Sequence, residues 1–181
     1  EAITHWLAGH AYDEAANAIE AIGEDALRAG RLNRLADWID ALPPHALAAR
    51  PRLQALLGDI YRLRNLYDRA LAWYGQAEKT WRGRDDGAGI SRALRGQASV
   101  YLDTVRPSQA EHLLQEALRL SDGTPDREAR ARLLDLMAEN KLNLGKPEEA
   151  EALRREAEML RNEAPTDDTL SARVKLRTGK L

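Results

Sequence analysis

Three arginines recur at intervals of 40 residues, at Arg52, Arg92 and Arg132. A guanidinium stays charged and can donate two parallel hydrogen bonds to a carboxylate or phosphate. Arginines that stack at equivalent positions of a repeat repel each other unless acids or a ligand lie between them. Two roles are open: a structural ladder of ion pairs across units, or binding of a polar or anionic effector or a peptide carboxylate. The acids available to such a ladder are Asp59, Asp103 and Asp135.

The other chemically capable residues do not form a catalytic or metal-binding motif. The four histidines are scattered, and none belongs to an H-E-x-x-H zinc motif. "SDGTPD" (121–126) lacks the spacing and terminal Glu of a calcium loop, so it is predicted to be a turn. "RGRDDGAG" (82–89) lacks the Lys-Ser/Thr ending of a nucleotide-binding loop and follows a predicted helix. The sequence therefore predicts a protein that is not an enzyme, with no catalytic or metal-binding residues.

Composition excludes further classes of function. Charged residues make up 31% of the 181 residues, yet both signs are interspersed and the net charge is −2. This balance argues against direct nucleic-acid binding, which favours a basic face. No cysteine is present, so disulfides and thiolate metal sites are excluded. No apolar run reaches the ~18 residues of a membrane span, and no signal peptide is visible. We expect no membrane contact and a cytoplasmic location; the chain opens directly into a helical pattern, as an excised fragment would.

Turn signals divide the chain into short helices. Pro43 and Pro44 stop an early helix, because proline lacks an amide proton and disfavours helix at the preceding residue. Pro107, Pro125 and Pro147 are each predicted to open a helix, with Thr124 as the cap before Pro125. No segment alternates apolar and polar residues as a strand would. The sequence predicts an all-α fold, with helices over about 51–64, 67–82, 89–104, 107–121, 125–144 and 147–163.

Small residues share the 40-residue spacing of the arginines. The columns are Ala70, Ala110 and Ala150; Ala77, Ala117 and Ala157; and Gly58, Ala98 and Ala138. Repeats of this length with two helices indicate a solenoid, in which each hairpin buries its apolar face against the next. The small residues would be crossing points for large partners such as Tyr74. We expect short helical hairpins over 1–50, three repeats over 51–90, 91–130 and 131–163, and a truncated helix or tail over 164–181.

The segment "LGDIYRLRNLYDRALAWYGQAE" (57–78) resembles the tetratricopeptide repeat, with the 40-residue period longer than the family's usual 34 or so. The family residues are Leu57, Gly58, Tyr61, Tyr67, Ala70, Tyr74 and Ala77. The resemblance implies a right-handed superhelix of stacked hairpins, in which the first helix of each unit lines a concave groove. It places these candidate binding residues in that groove: Arg52, Asp59, Arg62, Arg92, Arg95, Ser99, Asp103, Arg132, Asp135, Glu139 and Asn143.

The N-terminal segment (5–53) resembles the entry to the superhelical sensor region of MalT-like regulators, which are LuxR-type bacterial transcriptional activators of the signal-transduction ATPase class. The matching residues are Trp6, Gly9, Ala15, Ala16, Gly30, Leu35, Trp38, Leu42, Pro43, Arg50 and Pro51. The resemblance implies a non-catalytic sensor segment that binds a small-molecule effector or a peptide or protein partner, and that can self-associate. ATP and DNA would then bind only to separate modules of the parent protein. The alternative is a stand-alone tetratricopeptide scaffold that binds a peptide of a partner protein.

Overall fold

The computed structural model describes residues 2–162, which form ten α-helices and no strand. The predicted helix or tail at 164–181 lies outside the described residues. None of the described helices is long and apolar enough to cross a bilayer. In chain order the helices are α1 (Ala2–Ala8), α2 (Tyr12–Arg28), α3 (Leu32–Asp40), α4 (Pro44–Ala48), α5 (Pro51–Leu63), α6 (Tyr67–Arg82), α7 (Gly87–Asp103), α8 (Pro107–Leu120), α9 (Arg127–Asn143) and α10 (Pro147–Asn162).

The last six helices form three hairpins, which pair α5 with α6, α7 with α8, and α9 with α10. Adjacent hairpins pack through α6 against α7 and through α8 against α9. A single hairpin cannot cover its own apolar face, so the core of each one is completed by the next. The all-α solenoid predicted from the sequence is confirmed.

The columns of small residues lie where these helices cross. The alanines of all three columns are between 0% and 1% exposed. Tyr74 of α6 is fully buried and lies between two glycines, since a Cβ atom built on Gly58 or Gly96 would come within 2.5 Å or 2.3 Å of its ring. One aromatic ring therefore joins α5 and α6 of the first unit to α7 of the second.

The turn inside each hairpin also repeats at 40 residues. Asn65, Val105 and Gly145 each have a positive φ, of 59°, 54° and 73° respectively. This left-handed conformation suits glycine and asparagine but strains a β-branched valine. The second helix of each hairpin then begins two residues later, at Tyr67, Pro107 and Pro147.

The predicted start of α9 is wrong by two residues. The helix begins at Arg127 and is capped by Asp126, whose carboxylate accepts a hydrogen bond from the amide of Ala129 at 2.9 Å. Thr124 instead donates its hydroxyl proton to the carbonyl of Ser121, at 2.9 Å, and so stabilises the preceding turn. An ionised Asp is a stronger acceptor for the free amides of a helix start than Thr, and its charge also favours that end of the helix.

The four N-terminal helices pack against the start of the solenoid. Ile19, Leu35 and Ile39 share a core with Leu53 and Ile60 of α5. Arg50, just before α5, donates hydrogen bonds to Asn17 at 2.7 Å and to Asp13 at 3.0 Å. These contacts fix α2 against α5, with Glu20 and Glu24 next to the cavity between α5 and α7.

Candidate functional site

Two neighbouring cavities lie along the first helices of the hairpins. The first, of about 510 Å³, lies between α5 and α7 and includes Arg52 and Arg92. The second, of about 200 Å³, lies between α7 and α9 and includes Arg92, Arg95 and Arg132. Arg92 borders both cavities, so the predicted arginine column runs through the two of them.

The two cavities are equivalent positions of successive repeats. Six of the eight residues of the repeats that line the first cavity have a counterpart 40 residues later that lines the second. Arg52 corresponds to Arg92, Ala55 to Arg95, Asp86 to Asp126, Gly89 to Ala129 and Arg92 to Arg132. Asp86 caps α7 through the amide of Gly89, as Asp126 caps α9 through the amide of Ala129. These two aspartates were not among the predicted site residues, although their 40-residue spacing is visible in the sequence.

Arg92 is held by an acid of the preceding unit. It donates a short charge-assisted hydrogen bond to Asp59, and the Tyr74 hydroxyl donates to the other oxygen of that carboxylate at 2.7 Å. Burial and the Asp59 charge raise the pKa of Tyr74 far above its ordinary value, so this phenol remains a donor. Burial lowers the pKa of Arg92, but Asp59 outweighs that effect and the net shift is upward. Glu24 of α2, which sequence reasoning did not identify, lies 3.8 Å from the Nε atom of Arg92.

The other predicted acids make different pairs. Arg62 donates to Asp103 of the next unit at 2.8 Å, so this pair crosses units as the ladder requires. Arg132 instead pairs with Glu128 of its own helix at 3.0 Å. Asp135 pairs with Arg161 of α10. Among residues 2–162, Arg92 is therefore the only arginine of the predicted column that pairs with one of the predicted acids.

The remaining predicted residues have no acidic or basic partner in the described part of the chain. Arg95 makes neither an ion pair nor a side-chain hydrogen bond with residues 2–162, and Arg52 is exposed without an ion pair there. The Ser99 hydroxyl donates to the carbonyl of Arg95 at 3.0 Å, within α7. Glu139 and Asn143 lie exposed on α9.

Comparison with known proteins agrees with the helical-repeat fold. Residues 50–123 match the family model described as "Tetratricopeptide repeat". These residues form a tetratricopeptide-like helical region. Among solved structures, the chain is similar to BtubC (BKLC) from P. vanneervenii, with a TM-score of 0.69 and 16% sequence identity. The similarity covers 83% of this chain and 64% of that one, and at this identity it concerns the fold alone. None of the curated proteins compared with the chain matches it.

A tetratricopeptide-like region generally acts as a non-catalytic scaffold for protein interactions, because stacked hairpins present an extended groove. The arginines in the two cavities can bind an anionic group by donating several charge-assisted hydrogen bonds to it. This arrangement of fixed donors in a polar groove is suited to binding.

Proposed function

We propose that this chain is a non-catalytic sensor and interaction segment that binds an effector or a regulatory partner in the groove of its repeats. The observation that carries the proposal is the succession of two equivalent cavities with arginines at each boundary. The three units at 51–90, 91–130 and 131–163 would form the groove, and the short N-terminal helices would close its first end.

We further propose that the parent protein is a MalT-like bacterial transcriptional regulator acting in the cytoplasm. The support is the N-terminal sequence pattern, from Trp6 to Pro51, together with the four helices α1–α4 that precede the regular hairpins. Separate modules would bind ATP and DNA. A ligand that favours one curvature of the solenoid would shift the population toward that form and change contacts with those modules or with a second copy.

A pair of matched variants tests binding in the groove. Arg132→Ala removes a guanidinium that borders the second cavity and that, among residues 2–162, pairs only with Glu128, one turn away on its own helix. Arg155→Ala removes an exposed guanidinium of the same i,i+4 geometry, paired with Glu151 on α10. Thermal-shift screening of sugars, aromatic metabolites and peptides would first identify a ligand. We expect Arg132→Ala to weaken its binding several-fold and Arg155→Ala to leave it unchanged; equal binding by both variants and the wild type would refute the groove site.

The alternative is a stand-alone scaffold that binds a partner peptide, and the tetratricopeptide match at 50–123 supports it equally well. The reading frame on either side of this sequence distinguishes the two. An ATPase module before it and a helix-turn-helix module after it would support the regulator. A full-length gene that lacks both would refute the regulator and leave the scaffold.

A further inference from the structure

A separate pocket of about 400 Å³ lies at the turns inside the first two hairpins. One side of this turn pocket is formed by the α5–α6 turn and the start of α6, within residues 65–71. The other side is formed by the end of α7 and the α7–α8 turn, within residues 100–106. Among the described residues, it shares no lining residue with the two cavities of the groove. A ligand of the turn pocket would therefore occupy a different site from a ligand of the groove.

The wall of the turn pocket is apolar and aromatic. Val100 is 1% exposed and belongs to a buried cluster against which Tyr67 and Leu71 pack. Tyr101 is half-buried, and Leu66 is 44% exposed. Apolar surface that stays exposed inside a polar rim marks a ligand or interaction site. The volume also lies within the range of small-molecule pockets, about 300–1,000 Å³.

The rim of the turn pocket has three charged side chains without an ion pair. Asp68 and Arg106 make neither an ion pair nor a side-chain hydrogen bond with other residues of 2–162. The guanidinium carbon of Arg69 lies 5.5 Å from the centre of the Tyr61 ring, and no acid within 2–162 pairs with it. Two guanidiniums and one carboxylate give the described lining a net charge of +1. The rim therefore favours a ligand with one negative charge.

The same junction one repeat later is bridged by polar side chains. Adding 40 to three positions of the apolar wall gives a polar residue each time: Leu71 corresponds to Glu111, Val100 to Asn140 and Tyr101 to Lys141. Glu111 accepts hydrogen bonds from Asn140 at 2.6 Å and from Lys141 at 2.7 Å. The side chains of Lys141 and Glu111 are only 14% and 16% exposed, so this network fills the second junction. The fold can thus stack its units without an apolar wall at this place.

We propose that the turn pocket binds a free aromatic carboxylic acid. Its ring would lie against Tyr67 and Tyr101, because aromatic rings favour offset and edge-to-face contacts with each other. Its carboxylate would accept charge-assisted hydrogen bonds from Arg106 and Arg69, whose donors have no acidic partner among residues 2–162. The site goes beyond the proposed function, since it uses none of the residues of the groove.

The probe is phenylacetate, and two analogues separate the contribution of the ring from that of the charge. Phenylacetamide keeps the ring and lacks the charge, whereas cyclohexylacetate keeps the charge and lacks the aromatic ring. Saturation-transfer NMR titrations of the full chain would measure the three affinities. We expect phenylacetate to bind several-fold more tightly than either analogue. Equal binding of either analogue, or no binding of phenylacetate at millimolar concentration, would overturn the proposal.

Arg106→Ala tests the carboxylate contact. It should weaken phenylacetate binding about tenfold, because it removes a charge-assisted hydrogen-bond donor. The melting temperature should not change, since Arg106 is exposed and has no ion pair within 2–162. Lys146→Ala is the matched control, because Lys146 occupies the equivalent position one repeat later and does not line the turn pocket. Equal binding by the two variants would contradict the assignment.

Leu71→Glu tests the apolar wall by copying the residue that stands at Glu111 in the next unit. The new carboxylate should pair with the arginines of the rim and so abolish phenylacetate binding, with the helical circular dichroism retained. Leu71→Gln has nearly the same size without the charge and should weaken binding less. Phenylacetate binding by Leu71→Glu at the wild-type affinity would overturn the proposal; if that variant does not fold, Arg106→Ala decides alone.

The outcomes separate this inference from the proposed function. Phenylacetate binding that depends on Arg132 and not on Arg106 would place the acid in the groove and overturn the turn pocket, while the groove function would stand. Phenylacetate binding lost in Arg106→Ala and unchanged in Arg132→Ala would support the turn pocket whether or not a groove ligand is found. A phenylalanine-containing peptide that binds the turn pocket more tightly than phenylacetate would identify a partner's side chain as the occupant and overturn the free acid.

Discussion

The packing of Tyr74 between two glycines gives a sharp prediction for Gly96→Ala. Gly96 lies in the middle of α7, and a Cβ atom there would come within 2.3 Å of Cε1 of the Tyr74 ring. The ring is rigid and fully buried, so it cannot swing away into solvent. Either the ring or helix α7 must move, which would loosen the contact between the first and second units.

The expected magnitude follows from two opposing contributions. Replacing a helical glycine by alanine favours the helix by about 1 kcal/mol. Inserting a methyl group into a well-packed core costs about 1–3 kcal/mol. We therefore expect Gly96→Ala to lower the free energy of unfolding by about 1 kcal/mol.

Gly75→Ala is the matched control, because Gly75 is also inside a helix but a Cβ atom there meets nothing within 4 Å. It should gain the helix contribution alone and raise the free energy of unfolding by about 1 kcal/mol. Urea and thermal denaturation followed by circular dichroism would measure both variants. For a chain of this size, a difference of about 2 kcal/mol separates the melting temperatures by about 4–8 °C. Equal stability of the two variants would refute the clamp around Tyr74.

Three more predictions test other contacts. Val105 is 76% exposed and has the left-handed conformation that Gly145 occupies one repeat later. Val105→Gly should raise the free energy of unfolding by about 1 kcal/mol, and Gly145→Val should lower it. A lower free energy of unfolding in Val105→Gly would contradict the backbone strain at this position. Asp126→Ala should cost about 1 kcal/mol through the lost helix cap, with a similar loss for Asp86→Ala in the preceding unit. The raised pKa of Tyr74 means that the folded state keeps a proton that the unfolded state releases above about pH 10, so stability should fall as the pH rises through that value. Tyr74→Phe should remove this alkaline loss, as denaturation at pH 8 and pH 11 would show.

The repeat itself could be predicted from the sequence because packing imposes it on single positions. Ala70, Ala110 and Ala150 must be small wherever two helices cross, so their spacing is visible without coordinates. Helix starts at Pro107 and Pro147 were predicted for an equally local reason, since proline at the first helical position sacrifices no hydrogen bond. The start at Pro125 was wrong because two local signals competed and the stronger cap, Asp126, lies after the proline.

The positions of the arginines in the candidate site could be predicted from the sequence, but their ion-pair partners could not. The 40-residue register identified the arginine column, and the structure places Arg92 and Arg132 along one groove. The partner of each arginine was not predictable, because a long side chain can reach acids on its own helix, on the next unit or on the N-terminal helices. Arg132 pairs within α9, whereas Arg92 pairs with Asp59 and lies near Glu24.

By itself, the sequence determined the helices, their hairpins and the period of the solenoid, since these depend on residues close in the chain or repeated along it. Only the tertiary structure decided which arginine pairs with which acid. Asp59 and Arg92 are 33 residues apart, and α2 reaches the groove only because its apolar face packs against α5. Among residues 2–162, Arg52 and Arg95 are left without an ion pair, and that outcome depends on all of their neighbours in space at once.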